Sequence, residues 1–216
     1  MTFEKLQVKP EIVKALTEQG IVNPTTIQEK AIPLLHEGKD VIGISRTGSG
    51  KTVSFGIPML EKIEVGKGVQ GLVLAPTREL ANQISKEMQK WGKYLNITIA
   101  TVFGGVALNP QIDQIRRSEI VVGTPGRTLD LMQRGDLDVS KLHTFALDEA
   151  DKMVEMGFIE DIEMIIQPMP KTRQIVLFGA TISDEVDYLK RTYMNNAVTT
   201  EAELHVKKDL LEQYYY

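Results

Sequence analysis

The chain has 216 residues, of which 42% are hydrophobic, and its formal net charge is -4 at pH 7. This length suffices for one sizeable hydrophobic core or two small ones, and the acidic balance argues against a general nucleic-acid binder. The absence of cysteine excludes disulfide partners and thiolate metal sites. No apolar run approaches the roughly 20 residues that span a bilayer, and the N-terminus lacks the apolar core of a secretion signal. We therefore expect a cytoplasmic protein with no membrane partner.

Short, continuously apolar runs alternate along the chain with segments of helical periodicity. Six runs are typical of buried parallel strands: DVIGIS, GLVLAP, ITIATVFGG, EIVVGTP, HTFALDEA and QIVLFGAT. In the segment after GLVLAP, Leu80, Ile84, Met88 and Trp91 recur at helical spacing and are expected to face the sheet. The pattern predicts an α/β fold, a parallel β-sheet sandwiched by helices, with ligands at the carboxyl ends of the strands.

A glycine-rich turn, SRTGSGKT at 45–52, follows the first predicted strand. It matches the end of the phosphate-loop pattern G-x-x-x-x-G-K-[ST], but Ser45 replaces the first glycine. That substitution is tolerable if Ser45 keeps an ordinary backbone conformation, since backbone amides and the next helix N-terminus make the cradle. The alternative is a turn whose glycines only relieve strain. The predicted nucleotide-binding residues are Arg46, Thr47, Gly48, Ser49, Gly50, Lys51 and Thr52.

Two acidic residues follow the predicted buried strand HTFAL. Asp148 is expected to hold Mg²⁺ through water, together with Thr52, and Glu149 to orient or deprotonate the attacking water. Lys51 would neutralise the β and γ phosphates and is assigned to the catalytic residues with Asp148 and Glu149. A solvated acidic pair is the alternative, although such a pair need not follow a buried strand. Farther on, Met153, Met156 and Phe158 are expected to form a packing face.

The string Asp148-Glu149-Ala150-Asp151 is the name motif of the DEAD-box RNA helicases, and the chain resembles that family over residues 3–198. The resemblance implies a RecA-like P-loop NTPase domain that uses ATP and Mg²⁺. The stretch GIVNPTTIQ resembles the family's Q motif, in which Gln28 would read adenine with one donor and one acceptor. Phe3 resembles the isolated aromatic residue that packs on the base.

Three further segments resemble the family's RNA-backbone motifs, namely PTREL, GG and TPGR. Glycines and helix N-termini offer exposed amides, threonines offer hydroxyls and arginines add charge, so the resemblance implies RNA binding without sequence preference. A single arginine at a strand end is more often a surface ion-pair partner. The expected RNA-binding residues are Pro76, Thr77, Arg78, Gly104, Gly105, Thr124, Pro125, Gly126 and Arg127.

The chain departs from the family pattern at the segment that couples the ATP and RNA sites. The usual Ser-Ala-Thr is replaced by Gly179, Ala180 and Thr181. If that serine normally hydrogen-bonds Asp151, glycine in its place removes the bond, which contributes about 0.5–1.5 kcal/mol net to stability. Glycine also loosens the loop. The resemblance also implies a second RecA-like domain, absent from this chain. We expect residues 1–198 to form the ATP-binding domain, with the Q motif at 1–28, and residues 199–216 to be a linker and the start of that second domain.

These observations predict the N-terminal ATP-binding lobe of an ATP-dependent RNA helicase. With its second lobe it would unwind short duplexes, and without it the chain is expected to be a poor ATPase. A non-catalytic, ATP-gated RNA clamp is the alternative. A phosphate-loop kinase or transport ATPase would also carry SRTGSGKT, but would lack the glutamine adenine reader and PTREL.

Overall fold

A computed structural model describes residues 1–46 and 48–201, which form a sheet of parallel strands covered by helices on both faces. The strands are β1 Val41–Ile44, β2 Gly71–Leu74, β3 Ile99–Val102, β4 Ile120–Gly123, β5 Thr144–Leu147, β6 Gln174–Gly179 and β7 Val198–Glu201. The helices are α1 Pro10–Thr17, α2 Thr26–His36, α3 Lys51–Lys62, α4 Arg78–Trp91, α5 Leu108–Ile115, α6 Pro125–Gln133, α7 Ala150–Glu155, α8 Ile159–Ile166 and α9 Asp184–Tyr193. The order across the sheet is β3-β4-β2-β5-β6-β1-β7, and each pair of neighbours is parallel. The expected parallel α/β sandwich is confirmed.

Two apolar clusters hold the helices on the two faces of the sheet. Helices α1–α4 supply one cluster and α5–α9 supply the other. Ile84, Met88 and Trp91 of α4 are buried as their spacing predicts, and Leu80 packs against them. The packing face expected after the acidic motif is only partly formed, because Met153 is buried while Met156 is 48% exposed. In the part of the chain that the structure describes, no helix is long and apolar enough to cross a membrane.

The sheet extends beyond the domain boundary expected at residue 198. Strand β7 pairs with β1 along its whole length, and the Thr200 hydroxyl donates a hydrogen bond to the Ile42 carbonyl at 3.2 Å. The sequence VTTE gives little sign of this strand, because an edge strand needs no continuous apolar run. The expected linker therefore does not begin at 199, and residues 202–216 lie outside the described part.

The carboxylate of Asp40 joins three elements at the amino edge of the sheet. It is 4% exposed and accepts hydrogen bonds from the backbone N–H groups of Ile175, at 2.7 Å, and Asn195, at 2.6 Å. Burial raises the pKa of Asp40, against the effect of these two bonds and of Arg173. Since Asp40 directly precedes β1, its side chain fixes the starts of β6 and of the connection to β7.

Removing the Asp40 carboxylate and its two hydrogen bonds should destabilise the sheet. We expect Asp40→Ala to lower the free energy of unfolding by about 2–4 kcal/mol, because two buried N–H groups lose a charged acceptor. Urea denaturation followed by circular dichroism measures the change. Asp113→Ala is the matched control, since Asp113 is exposed and its carboxylate pairs with Arg116 at the surface, and it should change stability by less than about 0.5 kcal/mol. Equal stabilities for the two variants would contradict this role of Asp40.

Candidate functional site

The six functional segments that directly follow strands lie at the carboxyl edge of the sheet, because every strand pair is parallel. The strand order divides them into two groups. The phosphate loop, the acidic motif and the Gly-Ala-Thr segment follow β1, β5 and β6, which are neighbours. The PTREL, GG and TPGR segments follow β2, β3 and β4, which form the other half of the sheet. The residues expected to bind nucleotide and those expected to bind RNA thus occupy adjacent halves of one edge, which we call the nucleotide half and the RNA half.

The phosphate loop has the backbone geometry of an anion cradle at the start of α3. Gly48 and Gly50 have φ values of 79° and 87°, a left-handed conformation that glycine adopts without steric cost. Ser45 is not among the residues with positive φ, so the replacement of the first glycine is tolerated as expected. Its hydroxyl lies 2.8 Å from that of Ser49. Thr47 lies outside the described residues.

Lys51 is the clearest sign of a ligand at this loop. Its side chain is 6% exposed, and its ammonium nitrogen has no hydrogen-bond partner within the described residues. A buried ammonium without a partner is costly. Lys51 lines a cavity of about 660 Å³ together with Gly48, Gly50, Thr52 and the two acidic residues. This donor set fits a nucleotide phosphate with Mg²⁺.

The acidic motif presents two carboxylates in different environments. Asp148 is 3% exposed, and burial raises its pKa to about 6, while Lys51 opposes the shift and Glu149 adds to it. Asp148 accepts a hydrogen bond from the Glu149 N–H at 3.0 Å. Glu149 has φ 55° and ψ 49°, an uncommon conformation for a non-glycine residue that is often found at functional sites. The two side chains reach the same cavity as Lys51.

Gln28 contacts the phosphate loop directly. Its side-chain oxygen accepts a hydrogen bond from the Thr25 N–H at 2.9 Å, and its nitrogen donates to the Gly50 carbonyl at 3.0 Å. The Thr25 hydroxyl donates to the Ser49 carbonyl at 2.9 Å. A Cβ atom at position 50 would lie 2.2 Å from the Gln28 nitrogen, so the contact requires glycine. The amide retains one N–H and one acceptor lone pair, but Gln28 is 2% exposed and is not among the residues that line the cavity beside Lys51.

Phe3 does not occupy the position expected for a ring that packs on a base. It is 1% exposed and lies in the apolar cluster with Leu6, Val8 and the helices α1–α4. The Phe3 backbone carbonyl also closes the N-terminal turn by accepting hydrogen bonds from the N–H groups of Leu6 and Val8. Burial of apolar surface explains this placement, since a terminal phenyl ring gains more from the core than from solvent.

Several residues that line the cavity beside Lys51 were not predicted as site residues. Two follow α1 and the others lie along α4, namely Gln19, Ile21, Leu80, Gln83, Glu87, Lys90 and Trp91. The Trp91 indole N–H is buried without a partner among the described residues. The periodicity of α4 indicated that Leu80 and Trp91 face inward, but no sequence signal brings α1 to α4.

In the RNA half, the PTREL segment begins α4. The Thr77 hydroxyl caps the helix by accepting a hydrogen bond from the Leu80 N–H at 3.2 Å. Pro76 is buried, whereas the Arg78 side chain is half exposed and its guanidinium lies 5.6 Å from the centre of the Phe103 ring. Arg78 is therefore positioned above the next loop with its charge accessible to solvent.

Arg127 has a different environment from the one expected of an RNA contact. Its side chain is only 14% exposed, and both terminal nitrogens donate to the Val106 carbonyl at 3.4 Å. Its Nε lies 3.8 Å from the carboxylate of Asp130. Arg127 thus holds the loop that follows β3, while Gly104 and Gly105 of that loop are exposed. Pro125 is buried at the first turn of α6, and Gly126 is exposed.

Gln111 also holds the loop that follows β3. It is 6% exposed, and its oxygen accepts a hydrogen bond from the Phe103 N–H at 3.0 Å. Its nitrogen donates to the carbonyls of Phe103, at 3.3 Å, and Ala107, at 3.0 Å. Gln111 and Arg127 therefore fix the segment 103–107, which contains the two exposed glycines. A glutamine within a short helix gives no sequence signal of this role.

The Gly-Ala-Thr segment is attached to the acidic motif despite the missing serine. One carboxylate oxygen of Asp151 accepts hydrogen bonds from the N–H groups of Ala180 and Thr181, each at 3.0 Å, and from the Thr181 hydroxyl at 3.1 Å. The Gly179 carbonyl accepts the Ser45 N–H at 3.0 Å. A Cβ atom at position 179 would lie 3.1 Å from an Asp151 oxygen. Three hydrogen bonds therefore join these two segments, so the link expected to be lost is largely retained.

Hydrogen exchange can test whether the hydrogen bonds of Gln111 hold this loop. Gln111→Met keeps the side-chain length but removes the three hydrogen bonds, so the Phe103 amide should exchange faster and the free energy of unfolding should fall by about 1–3 kcal/mol. Gln114→Met is the matched control on the exposed face of the same helix. An unchanged exchange rate of the Phe103 amide in Gln111→Met would contradict this role of Gln111.

Comparisons with known proteins agree with this geometry. The family model described as DEAD/DEAH box helicase matches residues 25–189. The DEAD-box ATP-dependent RNA helicase CshA of Geobacillus kaustophilus is 42% identical over 99% of this chain, which spans 46% of that protein. The probable ATP-dependent RNA helicase MJ0669 of Methanocaldococcus jannaschii is 40% identical over 100% of this chain, which spans 58% of it. The crystal structure of a DEAD box protein from the hyperthermophile Methanococcus jannaschii has a TM-score of 0.92 at 41% identity, covering 94% of this chain and 56% of that one.

Proposed function

Because this chain belongs to the DEAD/DEAH-box helicase family, we propose that it is the ATP-binding lobe of an ATP-dependent RNA helicase. The chain spans about half the length of the relatives described above, so the activity of the complete protein is part of the proposal. The observation that carries it is the buried, unpartnered ammonium of Lys51 beside Asp148 and Glu149, within the described residues. The cytoplasmic location stays a prediction.

The nucleotide phosphates would lie over the amides of 48–52, with Lys51 as their counter-charge. Thr52 and Asp148 would hold Mg²⁺, which neutralises phosphate charge as it does in other phosphoryl-transfer enzymes. Glu149, which lines the cavity, would accept a proton from the attacking water. The free N–H and lone pair of Gln28 would bond adenine, while Ile21, rather than Phe3, lines the cavity.

RNA would lie across the other half of the edge through its phosphate backbone. Arg78 offers an accessible positive charge, the exposed glycines 104 and 105 offer backbone amides, and the N-termini of α4 and α6 favour anions. None of these groups reads a base edge, so binding would not depend on sequence. Arg127 would act by holding the loop at 103–107.

The hydrogen bonds from Ala180 and Thr181 to Asp151 keep the Gly-Ala-Thr segment attached to the acidic motif, which favours a coupled enzyme over a non-catalytic clamp. In the complete protein, ATP and RNA would together close two domains and separate a short duplex. The chain alone should hydrolyse ATP slowly, because an arginine supplied by a second domain is worth about a thousand-fold to a hundred-thousand-fold.

Calorimetric titration with magnesium ADP and magnesium GDP tests the nucleotide site. ADP should bind more tightly than GDP, and Gln28→Ala should weaken ADP binding. Lys51→Met should weaken it about tenfold or more, because a charge-assisted contact to phosphate is lost. Lys67→Met is the control, since Lys67 is exposed at the opposite edge of the sheet.

Two outcomes would contradict the proposal in different ways. If Lys51→Met binds ADP as tightly as the unmodified chain, the phosphate loop does not hold the nucleotide. If ADP and GDP bind equally and Gln28→Ala has no effect, the adenine contact is wrong while the phosphate site remains.

A further inference from the structure

A second cavity, of about 410 Å³, lies within the RNA half of the edge. It is lined by Gly104, Thr124, Gly126, Arg127, Asp130 and Phe158. Four of these six residues belong to the expected RNA motifs, but Phe158 comes from the segment after the acidic motif and was expected only to pack. We propose that Phe158 is a stacking platform for an unpaired base of the bound RNA strand; this rests on the proposed RNA binding.

Phe158 is the aromatic residue in the described part of the chain that is best placed for this role. Of the six phenylalanines, Phe3, Phe55, Phe145 and Phe178 are buried to 1% exposure or less. The ring of Phe103 lies beneath the guanidinium of Arg78. Phe158 packs against the core with part of its surface still accessible beside the cavity.

The position of Phe158 is fixed before any ligand arrives. It precedes α8, its N–H donates to the Met153 carbonyl at 3.0 Å, and its carbonyl accepts the Ile162 N–H at 3.0 Å. The inner side of the ring rests on the apolar cluster below α6–α9. A ring held in this way loses little conformational freedom when a base stacks on it.

The charges around the cavity favour a base over a phosphate. The guanidinium of Arg127 is already bonded to the Val106 carbonyl and lies close to Asp130. The Asp130 carboxylate is half exposed and would repel a phosphate at this point. The cavity therefore offers an uncharged aromatic face next to exposed glycine backbone. Single-stranded RNA is commonly bound by such stacking, which tolerates any base.

The test uses fluorescence anisotropy at low salt with this chain, a fluorescein-labelled decauridylate, and an abasic ribose-phosphate oligomer of the same length. Phe158→Leu keeps an apolar side chain against the core but removes the aromatic face. We expect its affinity for decauridylate to fall about fivefold or more, with no change for the abasic oligomer and no change in magnesium ADP binding. Met156→Leu, two residues earlier and 48% exposed, should bind both oligomers as the unmodified chain does.

A tryptophan reporter covers the case in which Phe158→Leu folds poorly. The chain has one tryptophan, the buried Trp91, so Phe158→Trp adds a signal that decauridylate should quench, whereas Met156→Trp should show no quenching. Equal affinities of Phe158→Leu and the unmodified chain, an equal loss on the abasic oligomer, or equal quenching at 156 and 158 would overturn the stacking role. If the unmodified chain binds neither oligomer, the proposed RNA binding itself fails, and the inference fails with it.

Discussion

The parallel direction of all the described strands is the constraint on which the rest of the structure depends. Parallel strands place their carboxyl ends at one edge, and the helix N-termini that follow them point their amides in the same direction. The order β3-β4-β2-β5-β6-β1-β7 then separates two groups of loops without any domain boundary. One sheet thereby carries two adjacent surfaces, one suited to nucleotide phosphates and one suited to an RNA backbone.

The three loops of the nucleotide half are joined to one another by short polar contacts. Asp151 binds the backbone of Ala180 and Thr181, and Ser45 of the phosphate loop donates to the Gly179 carbonyl. A change in the phosphate loop can therefore reach the acidic motif through the end of β6. Backbone atoms make most of these bonds, which explains why glycine at 179 is compatible with the connection.

The sequence predicted the features that depend on local patterns. Buried strands and the phosphate loop have strong signatures in apolar runs and in glycine spacing, and Ser45 adopts the ordinary backbone expected of it. Features that depend on distant contacts were missed. The polar strand β7 is placed by pairing with β1 and by its contacts with α2, Phe3 lies in the core, and Arg127 bonds a loop from another strand. Phe158 reaches the RNA half because α8 packs on α6.

Nitrogen-15 NMR of the labelled chain can show whether one edge of the sheet holds two adjacent ligand surfaces. Magnesium ADP should shift the amide signals of 45–52, 148–151 and 179–181, and should leave 103–107 and 124–127 nearly unchanged. Decauridylate alone should do the reverse. The account would be contradicted if both ligands shifted the same group of amides, or if RNA shifted only residues at the opposite edge of the sheet.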